Sequence, residues 1–581
     1  MNKQDKDLLF FENTFKVQEF ELHPFWRPKK WELYFLKYNN IFIKLFISGN
    51  MMNNQNQKNS TPSLFSDSFG TNNQDNDIDS RFQNRQEQSS NTENFSQIKE
   101  NTMTNELSLG KKTRDKILMQ KRLKTNMNVE QTQNLKNKLT IPAELFENCN
   151  NMTVELSKFP EIIETFGQQD VTKKYYGLVG IRKLLSLNKP PIQELIDIGI
   201  TSELITLLND NTPAEFQYEA LWCLTNIATG TSDQANSIVV KGGIPKILKL
   251  MDSSIEEIKL QASWIIGNLA SDCSKIRDTL LKEKAFDKLI TILASTNNIP
   301  LIKSTTWGIS NFFRVKPAPP YDIVKKCIKM VSRAMVIIAN DNEFLTDACF
   351  ILSYMTEHYK DTINELLDIE IIPLIIKSLD IDVQFIQLSS LRVVGNIASG
   401  NANQTQKLID WGVLNYLKKT LFNPKKSIRK ESAWILSNIA AGTQKQIETL
   451  ISQNFLPLLD QVIQKDEPQI KRECIWAVCN LTSVENVEYM KIILKEGILR
   501  IICDCLKMED AKYLAVCLEA FGNLLSFGKK SNPNGPNPIV NEVEKMGMFD
   551  VLEKLQYHPV EIVYEKTLKL LEMYFDTQNS E

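Results

Sequence analysis

The chain has 581 residues, 42% of them hydrophobic, and a formal net charge of −2. That length exceeds one ordinary compact core, so several domains or a repeat array are expected, and the near-neutral balance argues against a nucleic-acid-binding protein, which would carry a basic face. No apolar run reaches the roughly 18 residues of a membrane span, so none is expected.

Residues 1–80 read as a disordered N-terminal extension. Its first 50 residues hold the aromatic-rich stretch "FWRPKKWELYFLKYNNIFIKLFIS". They lack the basic start, apolar run and cleavage site of a signal peptide. Met51 or Met52 is the expected working start, with residues 1–50 untranslated. Residues 51–105 are rich in Asn, Gln and Ser and hold few aliphatics, a composition too polar to form a core. Residues 81–125 form a basic arm: Arg81 to Lys124 carries ten Lys/Arg against five Asp/Glu, a net of +5, which leaves −7 on the rest.

From residue 140 to 581 the pattern is helical. "ELITLLND", "IPKILKLM", "FDKLITILA" and "FLPLLDQVI" space their apolar residues by three and four, and no convincing alternating strand occurs. Each such segment precedes a second helix with a recurring word: "ALWCLTNIATG", "SWIIGNLASDC", "WGISNFFR", "AWILSNIAAG", "IWAVCNLTS". The asparagine position falls at 226, 268, 311, 354 (a tyrosine), 396, 438, 480 and 523, in steps of 42 or 43. Helical repeats of about 40–47 residues mark armadillo or HEAT solenoids. The expected fold is therefore all-α, an armadillo-repeat, right-handed superhelical solenoid of about ten repeats behind a disordered N-terminal arm. Stacked units of this kind bury a continuous core and leave an extended concave face.

Ten cysteines lie mostly among apolar helical residues, as reduced buried thiols do. Cys503 and Cys505 lack a second pair at zinc spacing, and His23, His358 and His558 are far apart. No metal, cofactor or catalytic cluster is expected, so the chain reads as a binding protein rather than an enzyme.

In the third unit Gln261, Trp264, Asn268 and Asp272 share one helical stripe. Three residues before the Trp position stand Glu219, Gln261, Ser304, Asp347, Ser389, Glu431 and Glu473 in successive units. Acids and amides in a sealed core would be costly, so this stripe is expected to face water or a ligand. A single Trp-x-x-x-Asn reads best as core plus surface filler; five at one repeat phase do not. Parallel indoles on neighbouring helices would form slots for Lys and Arg stems and attract their cations, about 0.5–2 kcal/mol each. Asn offers a donor and an acceptor to the backbone of an extended peptide. The expected ligand is a short, extended, basic peptide. The ladder breaks where Phe350 and Arg392 replace Trp, and a fixed cation at Arg392 would split the groove in two. A ligand with two basic clusters can then occupy both halves. A general armadillo scaffold for acidic or apolar partners, or a nucleic-acid-binding solenoid, would want a basic or apolar groove instead.

These words, with "WGISNFFRVKPAPP", "LRVVGNIASGNANQTQ" and the terminal "VYEKTLKLLEMYF", resemble importin α (karyopherin α), the adaptor for nuclear localisation signals. The resemblance spans about residues 81–576. It implies a major signal-binding site of Trp222, Asn226, Trp264, Asn268, Trp307 and Asn311, with Gly230 and Asp272 as the lysine pocket. Gln261, Asp347 and Tyr354 line the same groove. The implied minor site is Arg392, Asn396, Thr405, Glu431, Trp434, Asn438, Glu473, Trp476 and Asn480. Ala235, Phe350 and Ala402 depart from the family's usual Thr, Trp and Asp. The arm resembles the importin-β-binding segment, with Lys111, Lys112, Arg114 and Lys116 on the binding helix. Lys121, Arg122 and Lys124 would be its autoinhibitory cluster, and the family's central arginine run is absent. Implied partners are basic cargo proteins, importin β, an export karyopherin and, indirectly, the nuclear pore, with shuttling between cytoplasm and nucleus.

Overall fold

The computed structural model describes residues 133–508 and 511–575. The extension (1–80) and the arm (81–125), with Lys111, Lys112, Arg114, Lys116, Lys121, Arg122 and Lys124, lie outside the described residues.

Among the described residues every regular element is a helix. Ten of them carry the repeat word or its equivalent: α1 (Val171–Leu185), α2 (Ala214–Ile227), α3 (Glu256–Ala270), α4 (Ile299–Asn311), α5 (Asn342–His358), α6 (Gln384–Ala398), α7 (Lys426–Ala440), α8 (Pro468–Leu481), α9 (Ala511–Ser531) and α10 (Glu561–Tyr574). Local chemistry starts several of them. The Asp170, Asn298 and Asp341 side chains accept from backbone N–H groups of the first turns of α1, α4 and α5, and α8 opens on Pro468. Each helix of the series packs on the one before and the one after, as the 42–43-residue spacing predicts.

Two shorter helices cover each long one from outside, for example Ser274–Lys282 and Ala285–Ser295 over α3 and α4. The turn between such a pair needs one left-handed residue. Gly199, Gly242, Gly412, Gly497 and Gly547 supply it, and Lys284, Glu370 and Asn454 adopt it with a side chain. The core is continuous along the series rather than closed within one unit. This is an armadillo solenoid, as the repeat period predicts.

The chain enters the solenoid by an indirect route. Leu135 is buried, Lys138 Nζ donates to Ser254 Oγ (3.2 Å), and Thr140 donates from its backbone N (2.9 Å) and Oγ1 (2.6 Å) to Glu215 Oε1. Ser254 precedes α3 and Glu215 opens α2, so residues 135–140 cross these helix ends before the first unit begins.

Candidate functional site

The ladder asparagines lie near the C-terminal ends of the stacked helices, and most reach back one repeat. Asn226 Nδ2 donates to Ser186 Oγ (3.3 Å), Asn268 Nδ2 to the Thr225 carbonyl (3.2 Å), Asn396 Nδ2 to Thr356 Oγ1 (3.0 Å) and Asn480 Nδ2 to the Ser437 carbonyl (3.4 Å). Sequence reasoning assigned these amides to a ligand alone; they also pin each helix to its predecessor. Asn311 and Asn438 differ. Both are buried and neither Nδ2 has a partner. An orphaned amide N–H costs about 1–3 kcal/mol, but both nitrogens are covered and Asn311 is 0% exposed, so an acceptor reaches them only if neighbouring side chains move.

The indoles stack on the helices in the same order. Trp307 lies against Gly267 and Trp434 against Gly395, each glycine one residue before a ladder asparagine. A β-carbon on Gly267 would stand 2.6 Å from Trp307 Cζ3. Small residues recur at that place, as in Thr225, Ser310, Ser353 and Ser437, a pattern visible in the sequence itself. Trp264, Trp307, Trp434 and Trp476 are half-buried. The slots are not between parallel rings, however: Trp264 and Trp307 meet edge to face, with centroids 6.1 Å apart and planes at 72°.

Trp222 corrects the expectation further, because it is only 5% exposed. The Arg182 guanidinium sits 4.4 Å over its ring, and Tyr218 meets it edge-on. Arg182 is ion-paired to Glu219, and both are sealed from solvent. Burial pushes the Glu219 carboxyl up, against the pull of Arg182. The acid expected to face a ligand therefore neutralises an internal cation, and that cation already occupies the first rung.

Asp272 remains half-buried, and Ser232 Oγ donates to its Oδ1 (3.0 Å) while Oδ2 has no partner. Ser232 lies two residues past Gly230, so the turn that follows Gly230 reaches Asp272 of the next unit through this bond. Gly230 has its own reason: the Thr231–Gln234 capping box sets Gln234 Oε1 where a β-carbon would be, 2.1 Å away. Gln261 is buried with its Nε2 3.4 Å from Tyr218 Oη and its Oε1 unpartnered.

Two equivalent constellations stand further along. Ser310 Oγ donates to Asp347 Oδ1 (3.0 Å), and Ser437 Oγ donates to Glu473 Oε2 (3.0 Å). Each serine precedes an asparagine with an orphaned amide, and each acid belongs to the next helix. Serine, amide and carboxylate thus recur once in each half of the ladder. Arg314 covers the first: its Nε donates to Asn311 Oδ1 (3.0 Å), its Nη2 approaches Asp347 Oδ1 (3.2 Å), and its guanidinium lies 4.6 Å over Phe350.

In the gap, Arg392 is no lone cation. It stands between Glu357 (3.9 Å) and Glu431 (3.7 Å), so its charge is shared with two acids. Tyr354 is buried among Phe313, Phe350 and His358. Thr405 is buried too, its Oγ1 directed to the Ala398 and Asn401 carbonyls (3.3 Å each), which makes it a helix-start residue rather than an open contact. Local spacing does not single out Arg182, Arg314, Ser310, Ser437 or His358 as site residues, since what matters in each is a partner some 33–40 residues away or a ring stacked within its own helix.

Residues 188–229, 231–271 and 443–483 match the armadillo/beta-catenin-like repeat, and residues 537–581 match the atypical Arm repeat. The chain is 35% identical over 428 residues to Importin subunit alpha-3 of Arabidopsis thaliana, spanning 73% of this chain and 80% of the relative. It is 38% identical over 430 residues to Importin subunit alpha-B of Dictyostelium discoideum, spanning 73% and 83%. With Importin subunit alpha-1b of Oryza sativa subsp. japonica it shares 32% over 436 residues, 74% of this chain and 81% of that one. The crystal structure of an engineered protein superposes with a TM-score of 0.58 at 22% identity, over 71% of this chain and 97% of that one, a likeness of fold alone.

Proposed function

This chain belongs to the importin α family, and from that premise we propose that it is a nuclear import adaptor whose ladder holds the basic localisation signals of cargo proteins. The observation that carries the reading is the repeated trio of serine, amide and carboxylate, Ser310–Asn311–Asp347 and Ser437–Asn438–Glu473, beside half-buried indoles. Each trio would give a peptide carbonyl an amide N–H that is covered in the ligand-free chain, and a cationic side chain a carboxylate, the first of them once Arg314 moves aside. Together with Asp272, they suit a ligand with one basic cluster or two. Trp264, Trp307 and Asp272 would take the first cluster, and Trp434, Trp476 and Glu473 the second.

The chemistry is binding, without a reaction. Importin β would take the basic arm, clearing Lys121, Arg122 and Lys124 from the ladder, and would carry the complex through the nuclear pore. Release of the arm in the nucleus would favour cargo discharge, and an export karyopherin would return the adaptor to the cytoplasm.

Magnitudes decide how the ladder must work. An exposed ion pair contributes about 0–1 kcal/mol, whereas micromolar affinity needs about 8 kcal/mol. Several rungs must therefore act together, and salt must weaken them. Fluorescence anisotropy with a labelled lysine-rich peptide tests this. Affinity is expected to fall from low to high salt; an unchanged affinity, or equal binding of an acidic peptide, sinks the reading.

A further inference from the structure

Residues 135–140 form a strap across the starts of α2 and α3, and Thr140 is where it is fastened. The Thr140 backbone N–H (2.9 Å) and Oγ1 (2.6 Å) both donate to one oxygen, Oε1 of Glu215, in the first turn of α2. Glu215 is sealed from solvent, and its Oε2 has no hydrogen-bond partner. Upstream, Leu135 is fully buried and the helical turn Gln133–Lys136 packs on α3. Downstream, Ile141 is buried too.

Between these anchors residues 137–142 lie outside any helix, and Thr140 is exposed although its hydroxyl points to a buried carboxylate. A threonine on an exposed, non-helical stretch is open to a modifying enzyme. Lys136 and Lys138 precede it by four and two residues, yet neither is turned to the hydroxyl. Lys136 Nζ pairs with Glu147 (3.2 Å), and Lys138 Nζ donates to Ser254 Oγ (3.2 Å). The charged group that meets Thr140 Oγ1 is Glu215.

We propose that Thr140 is a phosphorylation site whose modification unfastens the strap. The assignment goes beyond the adaptor reading and does not rest on it. In the transfer, Thr140 Oγ1 bonds to the terminal phosphorus of a nucleoside triphosphate brought by a protein kinase. The bond from that phosphorus to the bridging oxygen breaks, the nucleoside diphosphate leaves, and the hydroxyl proton passes to the kinase's base. The donor at Oγ1 is then lost, and a group of charge about −1.5 to −2 replaces it. Glu215 has no hydrogen to give that group, and a contact of 2.6 Å leaves it no room. The strap is modified while transiently lifted, and the phosphate holds it there. Lifting frees residues 133–141, up to about 30 Å of extended chain. The N-terminal part of the molecule is then tethered at the helix Ala143–Asn151 instead of beside α3, which carries Trp264.

The test uses the full chain made with threonine or with phosphothreonine at position 140. Hydrogen exchange is followed by mass spectrometry over residues 133–142, with the helix Ser232–Val240 as an internal control. Phosphorylation is expected to speed exchange in the strap at least tenfold and to leave the control unchanged. Thr140→Val loses the hydroxyl but keeps the N–H, and should fall between the two. Glu215→Gln in the phosphorylated chain removes the facing charge and supplies an amide donor, so it should restore most of the protection. Unchanged exchange on phosphorylation, or no recovery with Glu215→Gln, overturns the proposal. Where that substitution loosens α2 itself, seen as faster exchange over 214–227, Thr140→Val decides: exchange as fast as in the phosphorylated chain refutes the role of charge. Fragmentation of the tryptic peptide 139–158, from chain isolated from its own cells, is expected to place phosphate on Thr140. Its absence there overturns the site. None of these readouts uses a basic peptide, so the adaptor reading and this one fail separately.

Discussion

The indole of Trp434 lies directly on the backbone of Gly395 in the preceding helix, so close that a β-carbon at 395 would stand 2.1 Å from Cζ3. Gly395→Ala therefore sets two effects against each other. Alanine improves helix propensity by about 1 kcal/mol, while overpacking typically costs about 1–3 kcal/mol. The backbone at 395 cannot retreat from a ring held between two helices, so we expect a net loss of about 1 kcal/mol. Denaturant titration followed by tryptophan emission measures it, and a stabilised variant would contradict the close packing.

Asp272 keeps one carboxylate oxygen covered and without a hydrogen-bond partner, while Ser232 of the neighbouring unit holds the other. Asp272→Lys reverses the charge at that seat. A single-cluster basic peptide should lose about a hundredfold in affinity, in line with the several kcal/mol measured for charge pairs at interfaces. Calorimetry giving the wild-type affinity would remove Asp272 from the site.

Arg314 covers Asn311, Asp347 and Phe350 at once. A cationic ligand reaching that rung must displace it. Arg314→Ala should tighten binding of a basic peptide by about threefold to tenfold, the scale of one cation–π contact returned to the ligand. Weaker binding would show that Arg314 supports the rung instead of occupying it.

The basic arm and the ladder belong to one chain, so an arm that binds the ladder would compete at high effective concentration. Deleting residues 1–125 should tighten cargo-peptide binding several-fold while leaving the Thr140–Glu215 entry contact in place. Equal affinities with and without the arm would end the autoinhibition reading.

Away from the ladder, Arg429 grips Asp466 with Nε on Oδ2 (2.7 Å) and Nη2 on Oδ1 (2.9 Å). That fork holds the Asp466 carboxyl below the usual carboxylate range. A depressed acid contributes stability above its unfolded value, about 3.9, and loses it as pH falls through the lower folded value. Asp466→Asn should cost about 1 kcal/mol near neutral pH. Its difference from wild type should shrink once the pH drops below about 4. A constant difference down to acid pH would mean that packing, not the charge, holds the pair.

The repeat period, the helical class and the stripe of Trp and Asn were legible because they are properties of spacing. A 42–43-residue phase and apolar residues three and four apart are visible in one dimension, and stacking follows from them. The family resemblance implied that Gly230 and Asp272 share a pocket; the contact between the two units is a bond from Ser232 to Asp272. What each rung is free to do was decided only by contacts between repeats. Glu219 reads as a ligand-facing acid until Arg182, 37 residues earlier, is found paired with it beneath Trp222. Arg392 reads as an isolated cation until Glu357 and Glu431 arrive from the helices on either side. Asn268 and Asn480 read as peptide contacts, yet their amides also bind the preceding helix. The reason is physical: periodicity fixes which face of a helix a side chain occupies, whereas its exposure and charge state depend on the neighbour one repeat away, and no local spacing encodes that neighbour.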